Sequence, residues 1–229
     1  MIDKIVLKSE PITLLGGAEV RREEFERAIS LAPACVAADG GAVHAQRFGH
    51  SIDAVIGDMD SLSGELMASL NRETIHHIRE QDSTDFEKCL LRIESPLIVG
   101  LGFLGGRLDH QLAAFHALLR FAHQPCVLLG AEELVFLCPP EITLRLNAET
   151  PLSLFPLASV TGAATGLQWS FPSLDFAPGQ RIGTSNMAMG TVTLEMSAAG
   201  MLCILPKSTF ESVFSALSET SHLWPAHEE

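Results

Sequence analysis

Short apolar runs alternate with helical patterns through residues 12–123, and this alternation limits the possible folds more than any other feature of the chain. The runs predicted as buried strands lie at residues 12–17, 35–38, 53–57 and 96–100. The helical patterns lie at residues 19–31, 42–48, 62–71, 84–93 and 107–123. Strands that alternate with helices predict a mostly parallel sheet covered on both faces, which is a three-layer α/β domain.

After Cys126 the pattern changes to shorter runs separated by Pro, Gly, Asn and Ser. The predicted strands lie at residues 134–137, 142–146, 152–156, 167–171, 191–196 and 201–205, with another near Val160. No helical period returns before residues 210–217. We therefore expect residues 1–140 to form the α/β domain and residues 141–229 to form a smaller all-β sandwich with a loose C-terminal tail.

Composition excludes several classes of protein. A net charge of −13 argues against a nucleic-acid-binding surface, which needs a basic stripe. No apolar run approaches the ~20 residues that span a bilayer, so no membrane partner is expected. The five cysteines are scattered and form no CxxC pair, which argues against a zinc site or a disulfide framework. Without a recognisable signal peptide, we expect a cytoplasmic protein.

Acidic residues follow two of the predicted strands, at the strand ends where parallel sheets bind ligands. Asp39 lies in ADGGA, and Asp58 and Asp60 lie in IGDMDSL. In extended geometry Asp58 and Asp60 would share one face and reach one metal ion, and carboxylate oxygens suit Mg²⁺. The alternative is a polar loop in which Ser61 caps the next helix.

A further acidic segment, QDSTDFEK at residues 81–88, precedes a predicted helix. Asp82, Asp85 and Lys88 recur at a spacing of three, which places them on one face of the helix start. One carboxylate could bind metal while Lys88 neutralises phosphate. The same residues also form a helix N-terminus signature that needs no catalytic meaning, since acidic side chains suit the helix dipole.

The segment GGRLDH at residues 105–110 joins a glycine-rich loop to a helix. Glycines allow the backbone to approach phosphate, and a helix N-terminus offers free N–H donors. Arg107 could clamp phosphoryl oxygens, or it could form a solvated pair with Asp109. No GK[ST] follows the glycines, so the segment is not a P-loop. Residues 183–186, GTSN, could be merely a turn.

The ordered set ADGGA, IGDMDS, QDSTDFEK, GGRLDH, GLQW (residues 166–169) and GTSN resembles the thiamine pyrophosphokinase family over residues 16–205. The resemblance implies an α/β nucleotide domain followed by a β-sandwich that binds thiamine. It implies a homodimer in which each active site is shared between the first domain of one subunit and the second domain of the other. The implied reaction transfers a diphosphoryl group from ATP to the hydroxyl of thiamine, by attack on the β-phosphorus with Mg²⁺.

Two alternatives remain beside that reaction, whose products are thiamine diphosphate and AMP. One is a pyrophosphokinase that acts on another hydroxymethyl heterocycle, such as a pterin. The other is a thiamine- or nucleotide-binding module without turnover. Acidic residues are intact at every motif, which argues against the second alternative.

The resemblance also implies roles for individual residues. Asp58 and Asp60 hold Mg²⁺, with Asp39 and Asp85 completing the acidic cradle, and Asp85 is a further metal ligand. Either Asp82 or Asp85 orients the thiamine hydroxyl. The remaining residues near nucleotide, phosphates or thiamine are Gly40, Gly41, Gln81, Lys88, Arg107, Asp109 and His110. From the other subunit, Ser185 and Asn186 hydrogen-bond the aminopyrimidine of thiamine.

The chain departs from the family pattern in two places. Met59 stands where relatives usually carry an aromatic residue, and we expect it to face the core. After the Ser-Asn pair, Met187, Ala188 and Met189 stand where some relatives have an aromatic residue. Trp169 either serves only the core or contacts the thiamine rings, and the methionines could also pack against a ring.

Overall fold

A computed structural model describes residues 3–226, so the predicted end of the tail at Glu228 and Glu229 lies outside the described residues. The chain divides into two compact units. The first unit comprises the described residues up to Ala117 together with Leu128–Ala131. The second unit comprises Leu118–Val127 and the described residues from Glu132 onward.

The first unit contains four complete helices and seven strands among its described residues. The helices are α1 (Arg22–Leu31), α2 (Ala42–Phe48), α3 (Gly64–Ser69) and α4 (Asp85–Arg92). The strands are β1 (Val6–Leu7), β2 (Ile12–Leu15), β3 (Ala34–Ala38), β4 (Ala54–Gly57), β5 (Ile75–His77), β6 (Ile93–Glu94) and β7 (Ile98–Leu101). Short 3₁₀ turns lie at Asp39–Gly41 and Arg72–Thr74. Helix α5 (Leu108–Arg120) and strand β8 (Cys126–Leu129) have residues in both units.

Five strands of the first unit form a parallel sheet in the order β7-β2-β3-β4-β5. Every residue of β2, β3, β4 and β7 is buried. Continuous apolar strands are typical of a parallel sheet that is covered on both faces. The predicted α/β arrangement with a mostly parallel sheet is therefore confirmed.

Local sequence explains why α4 begins where it does. The Thr84 side chain accepts a hydrogen bond from the Glu87 N–H, and the Glu87 carboxylate accepts one from the Thr84 N–H. This capping box satisfies two N–H groups that an α-helix leaves without partners. The first helical residue is consequently Asp85, and Asp82 lies before the helix rather than on its face.

The second unit is built mainly from antiparallel strands. They are β9 (Glu133–Leu137), β10 (Glu141–Arg145), β11 (Pro151–Pro156), β12 (Val160–Leu167), β13 (Phe171–Phe176), β14 (Gly183–Met196) and β15 (Met201–Pro206). A 3₁₀ turn at Lys207–Thr209 leads into α6 (Phe210–Glu219). The pairing runs β9-β15-β11-β14-β12-β13, and β10 also pairs with β14. The predicted β-rich second half is confirmed, and its strands pair antiparallel, whereas the sandwich arrangement stays a prediction.

Three local expectations in the second half are wrong. Residues 183–186 lie inside β14 and do not form a turn. Residues 167–171 are not one strand, because the Ser170 hydroxyl bonds both the N–H and the C=O of Leu167 and closes a turn between β12 and β13. Helix α5 ends at Arg120, so His123 lies beyond it. Among residues 3–226, no helix combines the length and apolar character needed to cross a membrane.

Candidate functional site

Three carboxylates converge where β3 and β4 end. One oxygen each from Asp39, Asp58 and Asp60 lies within 4.8 Å of the others. Asp39 follows β3, and Asp58 follows the neighbouring β4, so the parallel pairing brings the two together. Their convergence agrees with the rule that parallel sheets bind ligands at the carboxyl ends of strands.

Asp39 is the buried member of this group, with 2% of its surface exposed. Its Oδ2 accepts a hydrogen bond of 3.2 Å from the Ser61 N–H. Its Oδ1 is buried and has no hydrogen-bond partner within the described part of the chain. A buried carboxylate oxygen without a partner is costly, and a cation ligand would remove that cost. The orphaned oxygen and the all-carboxylate donor set both fit Mg²⁺.

The Asp-Met-Asp segment is not extended, which corrects the geometry expected from the sequence. Met59 has a φ of 65°, and the Asp60 N–H donates to Asp58 Oδ1 at 3.3 Å. This turn at Met59 brings the carboxylates of Asp58 and Asp60 together, although both residues lie beyond the end of β4. Ser61 does not cap the next helix, because its N–H holds Asp39 and Ser63 accepts the capping bond from Leu66. The Met59 side chain is buried.

Lys88 lies beside these carboxylates and is itself 2% exposed. Its ammonium donates to Asp85 Oδ1 at 2.9 Å and to Asp58 Oδ2 at 3.2 Å. Burial alone would lower the pKa of Lys88, but the hydrogen bonds and charges of Asp85 and Asp58 raise it above its usual value. Two of the three ammonium N–H groups are occupied in this way.

The two partners of Lys88 titrate in opposite directions. Burial raises the pKa of Asp85, reinforced by the charges of Asp39 and Asp58 and only partly offset by Lys88. Burial opposes ionisation of Asp58 too, but its hydrogen bonds from Gln81, the Asp60 N–H and Lys88 outweigh burial and lower its pKa. Asp58 is thus held ionised, whereas Asp85 takes up a proton more readily than a free carboxyl does.

Other residues of the acidic segment have distinct positions. The Gln81 side chain donates to Asp58 Oδ2 at 3.0 Å, so it belongs to the cluster. Asp82 is exposed, and its N–H donates to Glu80 Oε2 at 2.9 Å. Asp85 is not in the group of three carboxylates, but Lys88 links it to Asp58. Glu80 was not predicted from the sequence. The available local signal was an acidic side chain two residues before the Asp82-Ser83 pair.

Glycines around the cluster are required by packing within the chain itself. A Cβ on Gly41 would lie 2.1 Å from the Leu15 carbonyl oxygen, and one on Gly57 would lie 2.7 Å from the Asp39 Cβ. A Cβ on Gly40 would lie 3.0 Å from the Ser61 Cβ. These distances explain why glycine is needed at these positions even when no nucleotide is bound. That Gly40 and Gly41 let the backbone approach a nucleotide therefore stays a prediction.

The loops that follow β2 and β7 contact each other. The Ala18 N–H donates to the Gly102 carbonyl at 3.0 Å, and His44 Nε2 lies 2.8 Å from the Ala18 carbonyl. A Cβ on Gly16 would lie 2.7 Å from the Phe103 ring, so the loop residues pack without space to spare. His44 was not predicted, and nothing in its local sequence distinguishes it from an ordinary helix residue.

Arg107 and Asp109 form a pair at the start of α5. Arg107 Nε and one terminal nitrogen donate to the two Asp109 oxygens at 3.1 and 2.6 Å. Their side chains are 71% and 65% exposed, respectively, so the guanidinium is open to an incoming anion. His110 is also exposed, and its N–H donates to Asp109 Oδ1.

Ser185 and Asn186 lie in the second unit, on β14. Ser185 is exposed and left-handed with a φ of 64°, and its N–H donates to Ser153 Oγ at 3.0 Å. The Asn186 side chain contacts the backbone of Trp169. Trp169 is 59% exposed, which excludes the expectation that it serves the core.

Sequence comparison with known proteins points to a single family. A sequence profile described as thiamin pyrophosphokinase, catalytic domain, matches residues 25–129, which contain the acidic cluster and the Arg107 pair. Thiamine pyrophosphokinase 1 of Oryza sativa subsp. japonica is 34% identical over 160 residues, which cover 62% of this chain and 61% of that protein. The chain thus matches less than two thirds of the rice protein's length. Thiamine pyrophosphokinase 1 of Arabidopsis thaliana is 30% identical over 181 residues, which cover 70% of this chain and 68% of that protein.

Solved structures share the fold over most of the chain. Thiamin pyrophosphokinase from Geobacillus thermodenitrificans superposes with a TM-score of 0.72 at 22% identity, covering 86% of this chain and 96% of that one. Thiamin pyrophosphokinase from Candida albicans gives a TM-score of 0.74 at 13% identity, covering 90% and 97%. The sequence matches, the shared fold and the acidic cluster agree: this chain belongs to the thiamine pyrophosphokinase family.

Proposed function

We propose that this protein transfers a diphosphoryl group from ATP to the hydroxyl of thiamine, forming thiamine diphosphate and AMP. The observation that carries the proposal is the group of Asp39, Asp58 and Asp60, with the ion-paired Lys88 beside it. A hard-oxygen cluster at the carboxyl ends of parallel strands suits a metal–triphosphate ligand. Thiamine is proposed as the acceptor because the chain belongs to the thiamine pyrophosphokinase family.

Asp39, Asp58 and Asp60 would hold Mg²⁺, and Asp85 is a further ligand if its contact with Lys88 rearranges. Asp39 belongs in this set because its buried Oδ1 has no partner in the described chain. When bound, Mg²⁺ neutralises negative charge on the triphosphate. The net charge of −13 makes this local neutralisation necessary for ATP to approach.

Asp85 is the better of the two candidates for orienting the thiamine hydroxyl. It is half-buried and its raised pKa suits a carboxylate that accepts a proton, whereas Asp82 is exposed and lies outside α4. Lys88 fixes Asp85 and has one N–H left for a phosphate oxygen. Gln81 holds Asp58 from the other side.

Arg107 supplies a cation for phosphoryl oxygens, and transfer depends on such positioning and electrostatics more than on covalent chemistry. In the free protein, Asp109 holds the guanidinium of Arg107 in place. Asp109 and His110 lie on the phosphate-binding side of the proposed site. In the proposed homodimer, the β-sandwich of one subunit brings Ser185 and Asn186 to the thiamine held by the other subunit. A cytoplasmic location stays a prediction.

The deciding experiment incubates the purified protein with Mg²⁺, ATP and thiamine and separates the products by chromatography. We expect thiamine diphosphate and AMP in equal amounts. Asp58→Asn should abolish turnover with the fold intact, and Asp175→Asn, an exposed acidic residue of β13, is the matched control. Formation of ADP and thiamine monophosphate would contradict attack on the β-phosphorus of ATP.

A further inference from the structure

Ala18, in the loop after β2, adjoins both ends of the glycine loop, which comprises residues 102–106 and leads into Arg107. The Ala18 N–H donates to the Gly102 carbonyl at 3.0 Å. A Cβ on Gly102 would lie 3.0 Å from the Ala18 carbonyl oxygen, so the two backbones lie close together there. A Cβ on Gly106 would lie 3.5 Å from the Ala18 Cβ. Ala18 therefore adjoins the glycine loop at its first residue and at its last, which directly precedes Arg107.

His44, on α2, holds Ala18 in place. His44 Nε2 lies 2.8 Å from the Ala18 carbonyl oxygen. Because a carbonyl oxygen can only accept, Nε2 carries the proton and donates, which leaves Nδ1 as an acceptor. The histidine is 6% exposed, and Nδ1 is buried without a hydrogen-bond partner among the described residues. The hydrogen bond to Ala18 is therefore the one polar contact of this imidazole within the described part of the chain.

The surroundings of His44 favour the neutral imidazole. Burial lowers the pKa of His44 and the charge of Arg47 lowers it further, while the Ala18 bond and the charge of Glu19 offset only part of this. The side chain is thus uncharged at neutral pH. Its buried, unpartnered Nδ1 is a cost that an apolar side chain would not carry, so burial alone does not account for a histidine here. What the histidine adds is the bond that orients the Ala18 carbonyl.

We propose that His44 is the positioning residue of the glycine loop, and that through Ala18 it fixes the backbone from which Arg107 reaches the triphosphate of ATP. This inference rests on the proposed function. The Arg107 side chain is 71% exposed, and its partner Asp109, two residues later, moves with it. The loop before Arg107 must then place the guanidinium, since a misplaced cation loses much of its value in binding and transfer. His44 itself is buried and does not contact the ligand.

Hydrogen exchange of the Ala18 amide, followed by NMR without any ligand, tests the structural half of the proposal. His44→Leu removes the donor and keeps an apolar side chain, and we expect Ala18 exchange to become about fivefold faster, the equivalent of one net hydrogen bond. Thr13→Val is the matched control, since the buried Thr13 hydroxyl donates to the Ala32 carbonyl at the same distance of 2.8 Å. It should leave Ala18 exchange within about twofold of the wild type. Unchanged exchange in His44→Leu, or equal acceleration in both variants, would overturn the proposal.

Two amide substitutions separate the hydrogen bond from the rest of the imidazole. The amide nitrogen in His44→Gln stands near the place of Nε2 and can donate to the Ala18 carbonyl, whereas the shorter side chain in His44→Asn does not reach it. Calorimetric titration with Mg·ATP in the absence of thiamine should therefore give a Kd raised about fivefold in His44→Leu and His44→Asn. His44→Gln and Thr13→Val should stay within about twofold of the wild type. Equal Kd values for His44→Gln and His44→Asn would overturn the role of the bond to Ala18.

Steady-state kinetics give a readout that a general loss of stability would not move. His44→Leu should raise the KM for ATP by about fivefold and leave the KM for thiamine within about twofold. Equal increases in the two KM values would contradict a role on the phosphate side. If the wild type neither binds Mg·ATP nor forms AMP, the proposed function fails and this inference fails with it. If it forms thiamine diphosphate and His44→Leu binds Mg·ATP as tightly as the wild type, only this inference fails.

Discussion

The ammonium of Lys88 lies 2.9 Å from Oδ1 of Asp85, one helical turn earlier in α4. The lysine is 2% exposed, whereas the Asp85 side chain is 35% exposed. A buried cation in this position needs its carboxylate partners, because removing an ammonium from water is costly unless it is paired. The pair therefore couples the stability of α4 to the geometry of the proposed site.

Replacing Lys88 with methionine should destabilise the protein by about 3 kcal/mol, the lower end of the range for breaking a buried ion pair. The lower end applies because Asp85 can recover some hydration. Urea denaturation at neutral pH measures the loss. The matched control is Arg22→Met, which breaks an exposed pair with Glu26 and should cost only about 0.3–0.5 kcal/mol. Equal losses in the two variants would show that the Lys88 pairs contribute no more than surface pairs.

Mg²⁺ should stabilise the wild-type protein even without nucleotide. At about 100 times its Kd, a ligand that binds only the folded state adds roughly 2.7 kcal/mol, which raises the melting temperature. Asp39→Asn should remove most of this increase, because the buried Oδ1 would no longer be an anionic ligand. Differential scanning calorimetry with and without Mg²⁺ makes the comparison. An undiminished Mg²⁺ effect in Asp39→Asn would exclude Asp39 from the metal site.

Gly41→Ala should destabilise the first unit by about 2 kcal/mol or more, as forced overpacking commonly does. The added Cβ would lie 2.1 Å from the Leu15 carbonyl oxygen, so the backbone itself would have to shift. Gly17→Ala is the control, since nothing lies within 4 Å of its added Cβ. That variant should be neutral or up to about 1 kcal/mol more stable. Similar unfolding free energies for the two variants would refute the packing explanation for Gly41.

Asp53 should make the stability of the protein depend on pH. Burial opposes its ionisation, but hydrogen bonds from Lys8 and the Cys35 N–H outweigh burial and lower its pKa. A lowered folded-state pKa means that the stabilisation is complete above the unfolded value of about 3.9 and is lost as the pH falls through the folded value. Because the Asp53 side chain is 37% exposed, we expect about 1 kcal/mol between wild type and Asp53→Asn at pH 7.

Urea denaturation of wild type and Asp53→Asn from pH 7 toward about pH 3 would measure this dependence. The difference between the two proteins should shrink as the pH is lowered. Glu26→Gln, in an exposed pair on α1, serves as the control variant. A difference that stayed constant over the whole range would mean that the Asp53 charge does not stabilise the fold.

Much of the fold could be predicted because its signals are local. Helix α2 has the predicted bounds, residues 42–48, and the start of α4 follows from the Thr84–Glu87 capping box, which is contained in a few consecutive residues. Strands β1 and β6 were missed because two residues carry no periodic signal. The turn after β12 was missed because residues 167–171 resemble one apolar run in the sequence. The turn is closed by the Ser170 hydroxyl, which bonds the backbone of Leu167.

The alternation of strands and helices, and the position of Asp39 and Asp58 at strand ends, could be predicted because hydrophobic periodicity and turn residues are properties of neighbouring positions. Which carboxylates share a site, and that Trp169 is exposed, became visible in the folded chain and not in its local pattern. The convergence of Asp39 with Asp58 depends on the pairing of β3 with β4 and on the left-handed turn at Met59. The backbone of Trp169 hydrogen-bonds to the side chain of Asn186, 17 residues later in the chain, and contacts at that separation are decided by packing rather than by local pattern.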